Sequence, residues 1–357
     1  GGGGGGGGGG ESALVDSVPH YATPRAAAGY RANVTVVLNE LVPVQTMASL
    51  FVTGTVARFG SGQLRYRDTV RAPVRKDYLD NMTVAERPRV PERDLCVITF
   101  RYHQLETVVR SRDAYFSRCH LFVMGDEFCN QTAALDGNVT FRQFESKAFQ
   151  NPPLALPLGP RDDFWAEVHA QGADRNLILP CSQRPKLFNA VFSKFTSPSR
   201  DLLADLLESR RFHDLRHSGV IQIAGSWTFV PTEETGHLTV PQYVETLRAT
   251  SFTLAPVGHN PECFRIYEAI EVGSIPIIAL DESYTNHSCR GALGSMVESG
   301  APFPLLRSWD ELPSLLRKYR HDSLAADNLQ RRVRSWYADY MRGRIRRFEN
   351  ALAAPPP

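Results

Sequence analysis

The run from Thr250 to Ile278 constrains the fold more than any other part of this 357-residue chain. Phe252 to Ala255 is short, mostly apolar and carries a β-branched threonine, the pattern of a buried strand. Pro256 and Gly258 end it. Asn260 has the side chain of an N-cap. Pro261 follows where the first helical residue belongs, its φ preset and its missing N–H not needed there. Cys263, Ile266, Tyr267 and Ile270 then recur at i, i+3, i+4 and i+7, one buried helical face. Gly273 is placed to stop the helix in the left-handed conformation. Ile275 to Leu280 is a second buried strand, with Pro276 near its start, where a missing donor is tolerated.

Two parallel strands joined by a helix make a right-handed crossover unit. The loop from Val257 to Asn260 then lies at the carboxyl end of a strand and the amino end of a helix. Ligands bind there in open α/β sheets, and free N–H groups favour an anion. Arg265 and Glu268, three apart, share a side of the helix. An arginine near a phosphate and a carboxylate that takes a ribose diol would suit a nucleotide. The same spacing also fits a solvated ion pair on an ordinary amphipathic helix.

The series Cys263-Phe264-Arg265-Ile266-Tyr267-Glu268-Ala269-Ile270, followed by Gly273-Ser274-Ile275-Pro276-Ile277-Ile278, resembles the C-terminal signature of the exostosin-type glycosyltransferases, family 47. It resembles most the ribitol-xylosyltransferase-like branch. The resemblance implies an α/β fold of the GT-B kind, with two Rossmann-like domains facing a cleft and a C-terminal helix packing across both. It implies an inverting transfer of a sugar from a UDP-sugar to a hydroxyl of a glycan acceptor. Glu268 would hold the ribose and Arg265 would stand near the diphosphate, with Gly258, His259, Asn260 and Ser274 in the same nucleotide-sugar site. Cys263 stands where many members have Ser, and Ser274 where many have Cys. Both are small, so no charge the chemistry needs is lost. Fucosyltransferases of this fold carry a related pattern, so a GDP-sugar enzyme is one alternative. A non-catalytic glycan-binding relative is another.

Composition limits the partners. The chain is 42% hydrophobic and 22% charged with a formal charge of +2, a globular balance without a nucleic-acid footprint. No apolar run is long enough to span a bilayer, and the chain does not start with a signal peptide. Asn33, Asn81, Asn130, Asn138 and Asn286 each begin an Asn-x-Ser/Thr acceptor, more than the one or two expected by chance. Six cysteines allow up to three disulfides, and no CxxC pair points to zinc. Together these imply a lumenal, glycosylated protein. The resemblance adds the Golgi or ER and a type II membrane anchor absent from this chain.

Along the chain, residues 1–28 are Gly-rich and expected to be disordered. Residues 29–160 are read as an N-terminal Rossmann-like acceptor domain, 161–335 as a C-terminal nucleotide-sugar domain, and 336–357 as a C-terminal helix and tail. Strands are expected over 33–44, 95–100, 119–124, 139–144, 185–193 and 220–223, and helices over 201–207, 240–247, 309–319 and 327–352. Arg65 to Asp94 reads as loop with short elements. Asn151 to Pro160 holds four prolines and reads as the link between the domains.

The 119–124 strand ends in Gly125-Asp126-Glu127, which puts two carboxylates at the cleft edge. Asp126 or Glu127 could take the proton from the acceptor hydroxyl. A polar turn closing the strand is the plainer alternative. Asp162-Asp163 is not Asp-x-Asp, so a nucleotide-bound metal is not indicated. The resemblance likewise implies a metal-independent enzyme whose leaving diphosphate meets positive side chains. It brings Arg200, at the start of the helix after the 185–193 strand, toward that diphosphate, with Lys194 a weaker candidate.

Overall fold

The computed structural model describes residues 32–39, 64–72, 94–101, 104–129, 139–147, 153–171, 178–225, 236–289 and 291–356. Residues 1–28 and the acceptors Asn81, Asn130 and Asn138 lie outside them. Two parallel sheets form the scaffold.

The first sheet comprises β1 (Ala32–Asn39), β2 (Leu64–Ala72), β3 (Leu95–Arg101), β4 (His120–Met124), β5 (Phe141–Arg142) and β6 (Leu154–Ala155), with α1 (Leu105–Tyr115) between β3 and β4. Its order is β2-β1-β3-β4-β5-β6. The second comprises β7 (Lys186–Ser193), β8 (Gly219–Ala224), β9 (Thr250–Leu254), β10 (Ile275–Ala279) and β11 (Leu305–Leu306), in the order β11-β10-β9-β7-β8. Among the described residues the two halves thus share one winding. The first strand lies beside the second on one side and the third on the other. No sequence repeat announces this. The same layered architecture is reached with different side chains.

The helices of the second half are α2 (Asp162–Ala170), α3 (Pro198–Glu208), α4 (Val240–Arg248), α5 (Phe264–Glu271), the short α6 (Glu282–Thr285) and α7 (Gly294–Glu298), α8 (Leu312–His321) and α9 (Ser323–Ala353). Strands β9 and β10 are buried at every position, and the hydroxyls of Thr250, Ser251 and Thr253 in β9 are hydrogen-bonded there. Gly273 stands at φ +78° and ends α5 as expected; a Cβ there would meet Ile178 Cγ2 at 2.2 Å.

Helix α9 has 31 residues, about 46 Å at 1.5 Å per residue. Its first part, through Met341, packs into the core of the second half. Ile345, Phe348 and Leu352 pack against Val34, Val97, Phe122 and Phe141 of the first. Tyr337, Tyr340 and Phe348 thus form an aromatic stripe along α9 that is core in both halves, and α9 passes residue 336 without a break.

Three local expectations need correction. Strand β2, nine residues long, fills part of the 65–94 segment read as loop with short elements; its alternating charged residues hide a parallel pairing with β1. Of the 139–144 run only Phe141–Arg142 pairs. Helix α5 begins at Phe264 with Cys263 as N-cap, not after Asn260. The Asn260 side chain is turned to other partners: its Oδ1 accepts from the Glu262 N–H at 2.8 Å, and its Nδ2 donates to the Glu127 carbonyl at 2.8 Å.

Candidate active site

The second sheet changes winding direction between β7 and β9, and the crevice outside their carboxyl ends is where such sheets bind ligands. Arg200 is in the first turn of α3 because Ser197 and Pro198 start that helix directly after β7. Its guanidinium is buried and braced. Nη1 donates to the Ser193 carbonyl at 3.0 Å and to Thr196 Oγ1 at 3.2 Å, and Nε donates to the Val257 carbonyl at 3.2 Å. Burial, and then the repulsion of Arg265, pull its pKa down to about 10, so it stays charged at neutral pH. A Cβ on Gly258 would lie 3.1 Å from Arg200 Nη2, so glycine lets the loop and the guanidinium approach closely.

Arg265, in the first turn of α5, is half-buried, and its Nε is buried without a hydrogen-bond partner. It forms no ion pair with Glu268 among the described residues. Two guanidiniums thus face one crevice, beside a helix N-terminus, and among the described residues no carboxylate pairs with Arg265. That arrangement is costly unless an anion joins it.

Glu268, the residue the resemblance assigned to the ribose, lies in the interior. It is 2% exposed. Its Oε1 accepts from the Arg161 backbone N–H at 3.3 Å and from Arg161 Nε at 2.9 Å, and its Oε2 accepts from the Tyr243 hydroxyl at 2.9 Å. Both oxygens are engaged, so the carboxylate ties α5 to the residue that follows the linker. Sequence reasoning missed Arg161 and Tyr243 because neither sits in the signature; an arginine following a Pro-rich link was the available signal. Ser274, expected in the same nucleotide-sugar site, is also in the interior. It is 1% exposed and its Oγ bonds Thr253 Oγ1 at 2.7 Å, the end of a buried polar chain with Asn189.

Across the cleft, Asp126 and Glu127 separate. Asp126 is 4% exposed, with Arg142 Nη2 at 3.5 Å from its carboxylate. Burial first, offset by the charges of Asp126 and Glu262, sets the Arg142 guanidinium at about 10. The Glu127 side chain is 41% exposed and meets His259 Nδ1 at 3.0 Å. The disulfide Cys129–Cys289 fastens this turn to the second half. Cys96–Cys119 is the other disulfide, while Cys181 and Cys263 are free thiols, so the possible third does not form. Asn286 is exposed at the end of α6. Asn33 instead lies within β1, a strand paired on both sides, not the surface loop that a glycosylation acceptor calls for. Asp281 caps α6 and accepts from Ser199 Oγ at 2.6 Å.

The family profile described as "RXYLT1 C-terminal domain" matches residues 172–354, just over half of the chain and the whole of the Arg200–Arg265 crevice. The chain belongs to this family. Ribitol-5-phosphate xylosyltransferase 1 of Danio rerio is 31% identical over 47% of this chain and 38% of its own length. The Homo sapiens protein of that name is 30% identical over 48% of this chain and 38% of its own. The matched region thus takes in well under half of either relative. Among solved structures, a trehalose-6-phosphate protein from E. coli bound with UDP-2-fluoro glucose superposes with a TM-score of 0.51. It covers 91% of this chain and 100% of that one at 11% identity. The fold is GT-B, two parallel α/β halves joined by a linker and a shared C-terminal helix.

Proposed function

We propose that this chain is a glycosyltransferase that moves a pentosyl residue, xylose first among candidates, from a UDP-sugar to a hydroxyl of a ribitol-phosphate-bearing glycan. The transfer inverts the anomeric centre. The observation that carries the reading is the unpaired guanidinium of Arg265 beside the braced Arg200, at the carboxyl ends of β7 and β9. The donor diphosphate fits between them and the N-terminus of α5, and the negative charge released on transfer is met by groups already in place. The relatives' name supports the sugar and the acceptor; the crevice supports the diphosphate.

In this reading the positive charge at the diphosphate comes from the two arginines. Of the two acidic candidates in the first half, Glu127 faces the cleft, while Asp126 is buried against Arg142. Proton removal therefore falls to Glu127 or to the group it holds. Asn286 and the disulfides suit the Golgi or ER lumen, where the full-length protein would be held by an anchor. No described helix is long and apolar enough to cross a membrane.

Calorimetric titration of UDP and GDP in the presence of EDTA, into the wild type and Arg265→Ala, tests this. UDP should bind the wild type, and the variant should lose roughly 2 kcal/mol, as for a lost charge-assisted hydrogen bond. Preference for GDP would move the reading to a different donor. Binding of neither nucleotide by folded protein would leave a non-catalytic glycan-binding relative.

A further inference from the structure

The contact between Glu127 and His259 resolves more than a pairing of two polar side chains. His259 Nδ1 lies 3.0 Å from Glu127 Oε2. A carboxylate only accepts, so Nδ1 carries the proton and donates. In the neutral ring Nε2 then carries the lone pair, and it has no partner among the described residues. The ring is 52% exposed and borders the cleft immediately after Gly258, whose Cα packs beside Arg200.

Its position is fixed by several independent contacts. The His259 carbonyl accepts from His287 Nε2 at 2.7 Å. His287 Nδ1 accepts the Cys289 N–H at 3.1 Å, so His287 is held in its Nε2–H tautomer as a structural donor. The Phe128 ring lies 5.9 Å from both imidazoles, stacked on His287 and tilted against His259. On the opposite side, the Glu127 backbone carbonyl accepts from Asn260 Nδ2, and Cys129–Cys289 closes the turn. A carboxylate that orients an imidazole so that its other nitrogen faces a reacting hydroxyl is an efficient general-base arrangement.

We infer that His259 is the catalytic base and that Glu127 is its positioning residue. This rests on the proposed transfer to a ribitol-phosphate acceptor. In the step, the acceptor O–H bond breaks and its proton goes to His259 Nε2. The oxygen forms the new bond to the anomeric carbon. The bond from that carbon to the diphosphate oxygen breaks, and its electron pair leaves with the diphosphate, toward Arg200 and Arg265. Glu127 stabilises the imidazolium, which returns its proton to solvent. The base thus comes from the donor half, and the acceptor half contributes the group that aims it. The active constellation is complete only when the two halves meet.

Two measurements decide the matter, both on the full chain. First, xylosyl transfer from UDP-xylose to ribitol 5-phosphate is compared in wild type, His259→Ala and Glu127→Gln, alongside UDP titration. His259→Ala should lose about a hundredfold or more in kcat, keep its UDP affinity, and regain part of the rate with added imidazole. Glu127→Gln should lose rate without imidazole rescue, because a glutamine can offer an N–H to Nδ1 and favour the wrong tautomer. Activity of His259→Ala within about threefold of wild type, with Glu127→Gln inactive, would make Glu127 itself the base. Equal loss of UDP affinity in His259→Ala would make His259 a donor-binding residue. Both results overturn the inference. Second, ¹⁵N NMR of the His259 ring should show the Nδ1–H tautomer in wild type and its loss in Glu127→Gln. An Nε2–H tautomer in wild type overturns the inference whatever the substrate. Absence of transfer by wild type would instead count against the donor and acceptor assignment.

Discussion

Arg161 and Glu268 are 107 residues apart in the chain and meet at 2.9 Å, with Tyr243 on the second carboxylate oxygen. The guanidinium carbon also lies 5.7 Å from the centre of the Tyr243 ring. Burial opposes the Arg161 charge most, but Glu268 and then Asp163 more than offset it, so its pKa is raised. The residue that follows the interdomain link is thereby locked to the helix that carries Arg265.

Glu268→Ala leaves the Arg161 guanidinium without its partner. A fully buried broken pair costs about 3–5 kcal/mol. Because Arg161 is one-third exposed, the expected loss is smaller, about 2 kcal/mol in urea unfolding. Glu268→Ala that unfolds at the wild-type midpoint yet no longer binds UDP would restore a direct ribose contact.

Glu262 gives the chain a pH dependence with a definite sign. It is buried, and its Oε1 accepts from the Leu158 N–H at 2.9 Å and from the Tyr267 hydroxyl. Burial pushes its pKa up from 4.5 to about 7, against the downward pull of those two bonds. Glu145 adds to the rise and Arg344 opposes it. Between these values the folded chain keeps a proton that the unfolded chain has released. Stability is therefore greatest at the acid end of the window, falls as pH rises toward about 7, and is level above it. The fall from this group is roughly 3 kcal/mol at most. Asp162, pushed up to about 8 by burial and Asp163, contributes with the same sign. Thermal unfolding across this range should show a slope that Glu262→Gln reduces but does not abolish. An unchanged slope would remove Glu262 as its source.

Cys129 and Cys289 are 160 residues apart, against 23 for Cys96 and Cys119. Loop-closure entropy makes the longer bridge more stabilising by about 2 kcal/mol. Replacing Cys129 and Cys289 by Ser should lower the urea midpoint more than replacing Cys96 and Cys119. It should also raise KM for the acceptor, since the Glu127 turn loses its tether. Equal midpoints for the two double variants would show that the long bridge closes a region already held by α9.

Phe348 is fully buried, and its ring centre lies 4.7 Å from that of Phe141. Phe348→Ala should cost about 3–5 kcal/mol. Proteolysis should then release the first half before the second, because α9 still packs on the second through Val333, Tyr337 and Met341. Simultaneous loss of both halves would show that they unfold as one unit.

Much of the fold was legible because its cues are local. Strand β9, the glycine stop at Gly273, strand β10 and the Ser197–Pro198 helix start follow from periodicity and from backbone chemistry within a few residues. Arg200 and Arg265 came forward as anion-binding candidates chiefly through the family resemblance, which is itself a match of local sequence. Strand β2 was not, because a parallel strand with charged positions depends on its neighbour. Asn260 looked like a helix cap because its bond to Glu127, 133 residues away, leaves no local trace.

By itself the sequence determined the elements and the chemistry on offer: two arginines, a cleft-edge acidic pair, a crossover unit and an aromatic-striped terminal helix. Only the tertiary structure decided which groups meet. Glu268 goes to Arg161 and Tyr243, Asp126 is buried against Arg142, Glu127 turns His259, and Cys129 crosses to Cys289. The reason is physical. Burial and side-chain hydrogen bonds depend on distances in space that close loops of a hundred residues or more, and local propensity carries no information about which loops close.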